Sequence, residues 1–209
     1  MIPSGHNGPD KQLLAKLAGN GSTYVTRASH YLMNPEYDNV TRRLNDLQLN
    51  NAAGDKVKVY FIPSYLNGND GVFNLPYYDL LSGLDLTLFP SYYEPWGYTP
   101  LESVAFHVPA ITTDLAGFGL WVNSLKGGYS ELKDGVKVIH RSDYNYSEVA
   151  DAIKDTVSEF SALKDTEIKK IRKNAAYIAE KALWKHFIKY YYEAYDVALR
   201  NAQKRLLNR

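Results

Sequence analysis

The chain has 209 residues, 45% hydrophobic and 22% charged, with a formal net charge of +1. That composition fits a soluble globular protein of one sizeable domain with or without an appendage, and a near-neutral balance gives no global field for nucleic acid or an anionic membrane. The absence of cysteine excludes disulfides and thiolate metal sites.

The first residues, Met1 to His6, lack the basic and apolar regions of a signal peptide. No apolar run approaches the roughly 20 residues that span a bilayer. A soluble, cytoplasmic protein is expected. The 18 tyrosines offer flat faces with hydroxyls, which suit sugars and bases as well as cores.

Asp10 is placed to cap a short helix carrying Leu13, Leu14 and Leu17, closed by Gly19. Asn34-Pro35 fits an N-cap followed by proline at the first helical position, with Val40, Leu44 and Leu47 at helical spacing. Val57 to Ile62 has the β-branched and aromatic content of a strand. Pro76 opens a short helix that Gly83 stops. Leu84 to Phe89 is a short apolar strand, Ser91 to Thr99 a loop and Pro100 to Phe106 a helix. Strands are predicted at Pro109–Thr113 and Val136–Ile139. Helices follow over about 147–160, 166–181 and 184–206. Strands alternating with helices between residues 57 and 160 predict a parallel sheet with helices on its faces, and the helical end adds a tail.

One segment concentrates chemistry: Phe89-Pro90-Ser91-Tyr92-Tyr93-Glu94-Pro95-Trp96-Gly97-Tyr98-Thr99-Pro100-Leu101-Glu102-Ser103. It leaves the C-terminal end of a strand and enters a helix, the edge where open parallel sheets bind ligands. Thr99 is expected as N-cap with Pro100 as first helical residue, leaving backbone N–H groups for a phosphate. Gly97 lets a ligand approach the backbone. Glu94 and Glu102 bracket the turn. Thr99-x-x-Glu102 also fits a capping box that needs no ligand, and Trp96 also fits a core position. Tyr77 and Tyr78 lie in an amphipathic turn and read as core by themselves.

The stretch from Ser91 to Glu102 closely resembles the signature of eukaryotic-type glycogen synthases, retaining glycosyltransferases of the two-domain GT-B fold. The likeness continues through Val108 to Gly119, appears upstream at Asp55 to Pro63, and downstream at Trp184-Lys185 and Ala198-Leu199-Arg200. It implies a Rossmann-like domain, residues 1–183, that binds the donor UDP-glucose. It also implies a closing helix, residues 184–209, that crosses toward a missing N-terminal domain. It implies transfer of glucose to the non-reducing end of an α-1,4-glucan with retention; no metal or other cofactor is expected, because no two aspartates are separated by a single residue as in the metal site of other glycosyltransferases. Glu94 would sit by the donor glucose, Glu102 would hold the ribose hydroxyls, and Tyr98 and Thr99 would contact the diphosphate. Trp96 and Gly97 would line the sugar pocket, and Tyr77 would stack on the uracil. Members carry an arginine, a lysine and an acceptor-binding domain that lie ahead of this chain's first residue, so it reads as a fragment, inactive alone. The glycogen acceptor would be reached through that missing domain.

A related transferase using ADP-glucose, or a nucleotide- or glucan-binding module without turnover, are the other readings. The region matching the family's arginine-rich regulatory helix offers only Lys169, Lys170, Arg172 and Lys173, which reads as a solvated face. Gly117-Phe118-Gly119 lacks the third glycine of a dinucleotide fingerprint, with Val122 in its place, and reads as a loop beside the donor site. The last helix carries Trp184, Phe187, Ile188, Tyr191, Tyr192, Tyr195 and Leu199 in one stripe. It is expected to leave aromatic surface exposed or to form a homo-oligomer through it.

Overall fold

A computed structural model describes residues 37–49, 51–52, 54–70 and 73–207. The helix expected after Asp10 lies outside them. The chain divides into two compact units, Met1–Leu84 and Asp85–Arg209.

In the first unit, α1 spans Asn39–Asp46 and α2 spans Tyr77–Ser82. The cap of α1 is Asp38, whose carboxylate accepts the Thr41 N–H at 2.7 Å, so the helix begins after the Asn34-Pro35 start read from sequence. Pro76 and Gly83 bound α2 as expected. Val57 to Ile62 does not form the expected strand. The side chain of Asn51 takes both backbone groups of Val59, accepting its N–H at 2.8 Å and donating to its carbonyl at 2.7 Å. A side-chain amide here supplies bonds that a neighbouring strand would otherwise give.

The second unit is the α/β fold that the alternation predicts. Strands β1 (Thr87–Leu88), β2 (Ala110–Thr113) and β3 (Val136–Ile139) form a parallel sheet in the order β1-β2-β3, with Thr87 beside Ala110 and Ala110 beside Val136. Between and after them come α3 (Tyr98–Ala105), α4 (Gly117–Lys126), α5 (Tyr146–Ser161), α6 (Asp165–Lys181) and α7 (Trp184–Leu207). All four residues of β2 are buried, as expected for a central parallel strand covered on both faces. Alternation sends Ala110, Val136 and Val138 into one cluster with Val104, Phe118, Val122, Ala175 and Ile178, from α3, α4 and α6. It sends Ile111 and Ile139 to the opposite cluster with Val149, Ala152 and Ile153 of α5. Full burial of one such side chain is worth about 1.5–3 kcal/mol, so the two clusters dominate this unit's stability.

The turn after α3 aligns β2. The N–H of His107 bonds to Val104 O at 3.0 Å and that of Val108 to Ser103 O at 2.9 Å, a Schellman end. His107 holds the left-handed position, φ 62°, that glycine usually takes there. The buried hydroxyls of Thr87 and Ser103 lie 2.6 Å apart and reach the carbonyls of Pro109 and Val108, tying β1, α3 and the start of β2 together.

Candidate functional site

The C-terminal ends of β1, β2 and β3 feed the segments beginning at Phe89, Asp114 and His140, so these three meet at one edge of the sheet. The segment after β1 is not a slack loop. Glu94 donates its N–H to Leu115 O at 3.2 Å, Gly117 donates to Glu94 O at 3.1 Å, and Phe118 donates to Trp96 O at 2.6 Å. Residues 94–96 thus run parallel to residues 115–118, with Glu94 bridged to Ala116.

This contact explains Gly117-Phe118-Gly119, which opens α4 rather than forming the expected loop. A Cβ on Gly117 would stand 2.3 Å from Pro95 O, and one on Gly119 would stand 2.2 Å from Thr113 O. Both glycines are needed where a helix start presses on backbone. Their poor helix propensity hides the helix in the sequence, and tertiary packing overrides it.

The cap of α3 is Gly97, not Thr99, and no side chain caps this helix. Gly97 is left-handed, φ 100°, and this turn starts the helix two residues early. Thr99 therefore lies inside α3, and the Thr99–Glu102 capping box is not formed. The amides of Gly97, Tyr98 and Thr99 come before the first intrahelical bond, and Pro100 has none to contribute. They mark the positive end of the helix dipole.

Five of the residues singled out from sequence lie around this turn. Glu94 is half-buried, and a Cβ on Gly97 would lie 3.5 Å from its Cγ, so the glutamate stem packs against the turn. Tyr98 is 70% exposed and Thr99 is also exposed, at the open end of α3. Trp96 turns its ring inward: it meets Phe118 and Phe187 edge-on at 6.0 and 5.7 Å and Trp121 at 5.7 Å. Glu102, one turn along α3, is half-buried. Tyr77 belongs to the first unit, where it begins α2 with its ring 5.3 Å from that of Tyr78.

The sequence reading passed over a second cluster at the same edge. Asp114 accepts the Arg141 N–H at 2.9 Å, the Tyr129 hydroxyl at 3.2 Å and a contact from His140 Nδ1 at 2.6 Å. Partial burial raises the Tyr129 phenol above its ordinary value, and the Asp114 carboxylate beside it adds to the rise. Arg141 donates to Pro90 O at 2.6 Å and lies over the ring of Tyr92, 5.1 Å from its centroid. The signal for Arg141 was its place just beyond β3, the same edge rule that flagged Glu94. On α6, Lys169, Lys170 and Lys173 are exposed and Arg172 pairs with Asp85 at 3.2 Å.

Among the described residues, no helix is long and apolar enough to cross a membrane, and no three His, Asp or Glu side chains are grouped to hold a metal ion.

Residues 13–207 match a family model described as glycogen synthase. Glycogen [starch] synthase isoform 2 of Saccharomyces cerevisiae is 32% identical over 174 residues, 82% of this chain and 24% of that protein. Isoform 1 of the same organism is 31% identical over 176 residues, 83% of this chain and 25% of that protein. The Neurospora crassa glycogen [starch] synthase is 31% identical over 174 residues, 83% of this chain and 24% of that protein. The chain thus spans about a quarter of the length of these relatives.

Proposed function

The chain belongs to the glycogen synthase family, and from that premise we propose that it is the donor-binding part of a retaining glycosyltransferase of the GT-B fold. The donor is UDP-glucose, and the parent reaction passes its glucose to the non-reducing end of an α-1,4-glucan in the cytoplasm. The observation that carries the reading is the Gly97 turn, where an uncapped helix start stands beside a carboxylate at the C-terminal edge of a parallel sheet.

The chemistry follows from those groups. The amides of Gly97, Tyr98 and Thr99 donate to the diphosphate oxygens, and the dipole of α3 favours the growing charge as the bond to glucose breaks, by about 1–2 kcal/mol. Glu94 accepts hydroxyl hydrogen bonds of the glucose and fixes its orientation. It is a positioning carboxylate in a front-face displacement, in which the acceptor enters on the side the diphosphate leaves. Glu102 binds the ribose hydroxyls. Gly97 lines the sugar pocket directly, whereas Trp96 shapes it through its backbone and its aromatic cluster. No metal or other cofactor takes part in this scheme. The aromatic stripe of α7 supports its reading as the element that crosses to a further domain, through which the glucan would be bound.

The test separates binding from turnover, because transfer needs an acceptor site as well as a donor site. Calorimetry on the 209-residue chain is expected to detect UDP, with ADP weaker. Glu102→Ala should weaken UDP by roughly 10- to 150-fold, the equivalent of about 1.5–3 kcal/mol for a charged hydrogen bond, with the melting temperature followed in parallel. UDP release from UDP-glucose with glycogen should stay at background for this chain alone. Unchanged UDP affinity in the Glu102 variant would remove the ribose role, and tighter ADP than UDP binding would remove the UDP assignment.

A further inference from the structure

We propose that Arg141 is a positioning residue that sets the sugar-binding geometry of Glu94 by clamping residues 90–92. The inference rests on the donor-binding reading above.

The clamp starts from a fixed base. Asp114 donates its N–H to Ile139 O at 3.0 Å and accepts the Arg141 N–H at 2.9 Å, so the ends of β2 and β3 are locked together. From that base the Arg141 side chain reaches back to the segment after β1. Its guanidinium donates to Pro90 O at 2.6 Å and covers the ring of Tyr92. Between those two residues, the Thr113 hydroxyl donates to Ser91 O at 2.6 Å. Three consecutive residues are therefore held by Thr113 at the end of β2 and by Arg141 just beyond β3, and the next bond along the chain is that of the Glu94 N–H. Tyr93 alone separates the two sets of contacts, and it is 78% exposed. A shift of residues 90–92 has one residue of slack before it reaches Glu94.

The choice of arginine is physical. Proline has no N–H, so its carbonyl is the only backbone group at position 90 to grip. A guanidinium is planar and carries donors at its rim, so it stacks on a ring and donates to a carbonyl at once. The ammonium of lysine makes either contact but holds both less rigidly. Because the clamp acts on the segment leading to Glu94 and not on α3, it should matter for the sugar of the donor and not for its nucleotide.

The test is the ratio of UDP-glucose to UDP affinity in the 209-residue chain, measured by calorimetry on folded protein. Arg141→Ala is expected to weaken UDP-glucose by roughly three- to tenfold, less than the full worth of the lost contacts because the clamp touches residues 90–92 and reaches the sugar only through Glu94, while UDP stays within about twofold. Arg141→Lys should recover part of that ratio. Tyr92→Leu, which cuts the clamp from the other side, should lower it as well, and the double variant should lose little more than the larger single one. An unchanged ratio in both single variants overturns the proposal. Equal weakening of UDP and UDP-glucose also overturns it, since Arg141 would then touch the diphosphate or support folding. If the parent chain binds neither ligand, the donor-binding reading fails and takes this inference with it.

Discussion

Two parts of the second unit are rich in aromatic residues, and the fold treats them in opposite ways. Between Phe89 and Thr99 the backbone is bonded sideways to the segments after β2 and β3, and the ring of Trp96 packs with Phe118, Trp121 and Phe187. Along the 24 residues of α7 none is buried, and every residue from Lys189 to Leu207 is exposed. Phe187 is its anchor, joining the cluster of Trp96 and Trp121 at 5.7 and 5.5 Å. Past it, the rings touch one another on the surface: Trp184 with Tyr191, and Tyr191 with Tyr195. A helix closes its backbone bonds internally and persists without cover, whereas an irregular segment must be bonded to neighbours to hold one shape. Aromatic density is thus no guide to burial, and the segment without regular structure is the more tightly constrained of the two.

The sharpest way to break the comparison is to make one substitution in both regions. Trp96→Ala empties the centre of the aromatic cluster and is expected to cost about 3 kcal/mol or more, whereas Trp184→Ala, at an exposed position, should cost less than about 1 kcal/mol. Denaturant melts of the two variants check this, and similar midpoints would mean the cluster is not the anchor of the loop. Next in size is Gly117→Ala. The added methyl collides with Pro95 O, and overpacking of this kind costs about 1–3 kcal/mol. The same substitution should also weaken UDP-glucose more than UDP, because residues 94–96 must move away from α4. The smallest effect is expected for Tyr191→Ser with Tyr195→Ser, whose combined change in stability should stay within about 1 kcal/mol. A larger loss in a thermal melt would reveal cover on α7 and undo the contrast.

Much of this fold was legible because its signals are local. The helices α5, α6 and α7 stand within a residue of their expected bounds, the last of them marked by its apolar spacing, and β3 spans Val136–Ile139 as expected. The parallel order followed from alternation. The aromatic segment pointed to the correct edge of the sheet because strand and helix signals flank it on either side. Val57 to Ile62 carries an equally good strand signal and failed, since a strand exists only where a partner chain supplies bonds, and Asn51 supplied them instead.

By itself, then, the sequence determined the helices α5, α6 and α7, the polarity of the sheet and the segment on which the chemistry rests, all properties written in short-range periodicity and in residue type. Tertiary structure alone decided three things. It moved the cap of α3 from Thr99 to Gly97, because a left-handed glycine turn beside Glu94 sets the helix start. It made a helix of a glycine-rich stretch, because close approach to Pro95 and Thr113 leaves no room for side chains. It brought Arg141 back to Pro90 and Tyr92, some 50 residues earlier in the chain. That contact depends on which strands are neighbours, and strand neighbours are chosen by packing over the whole sheet, which no short stretch of sequence encodes.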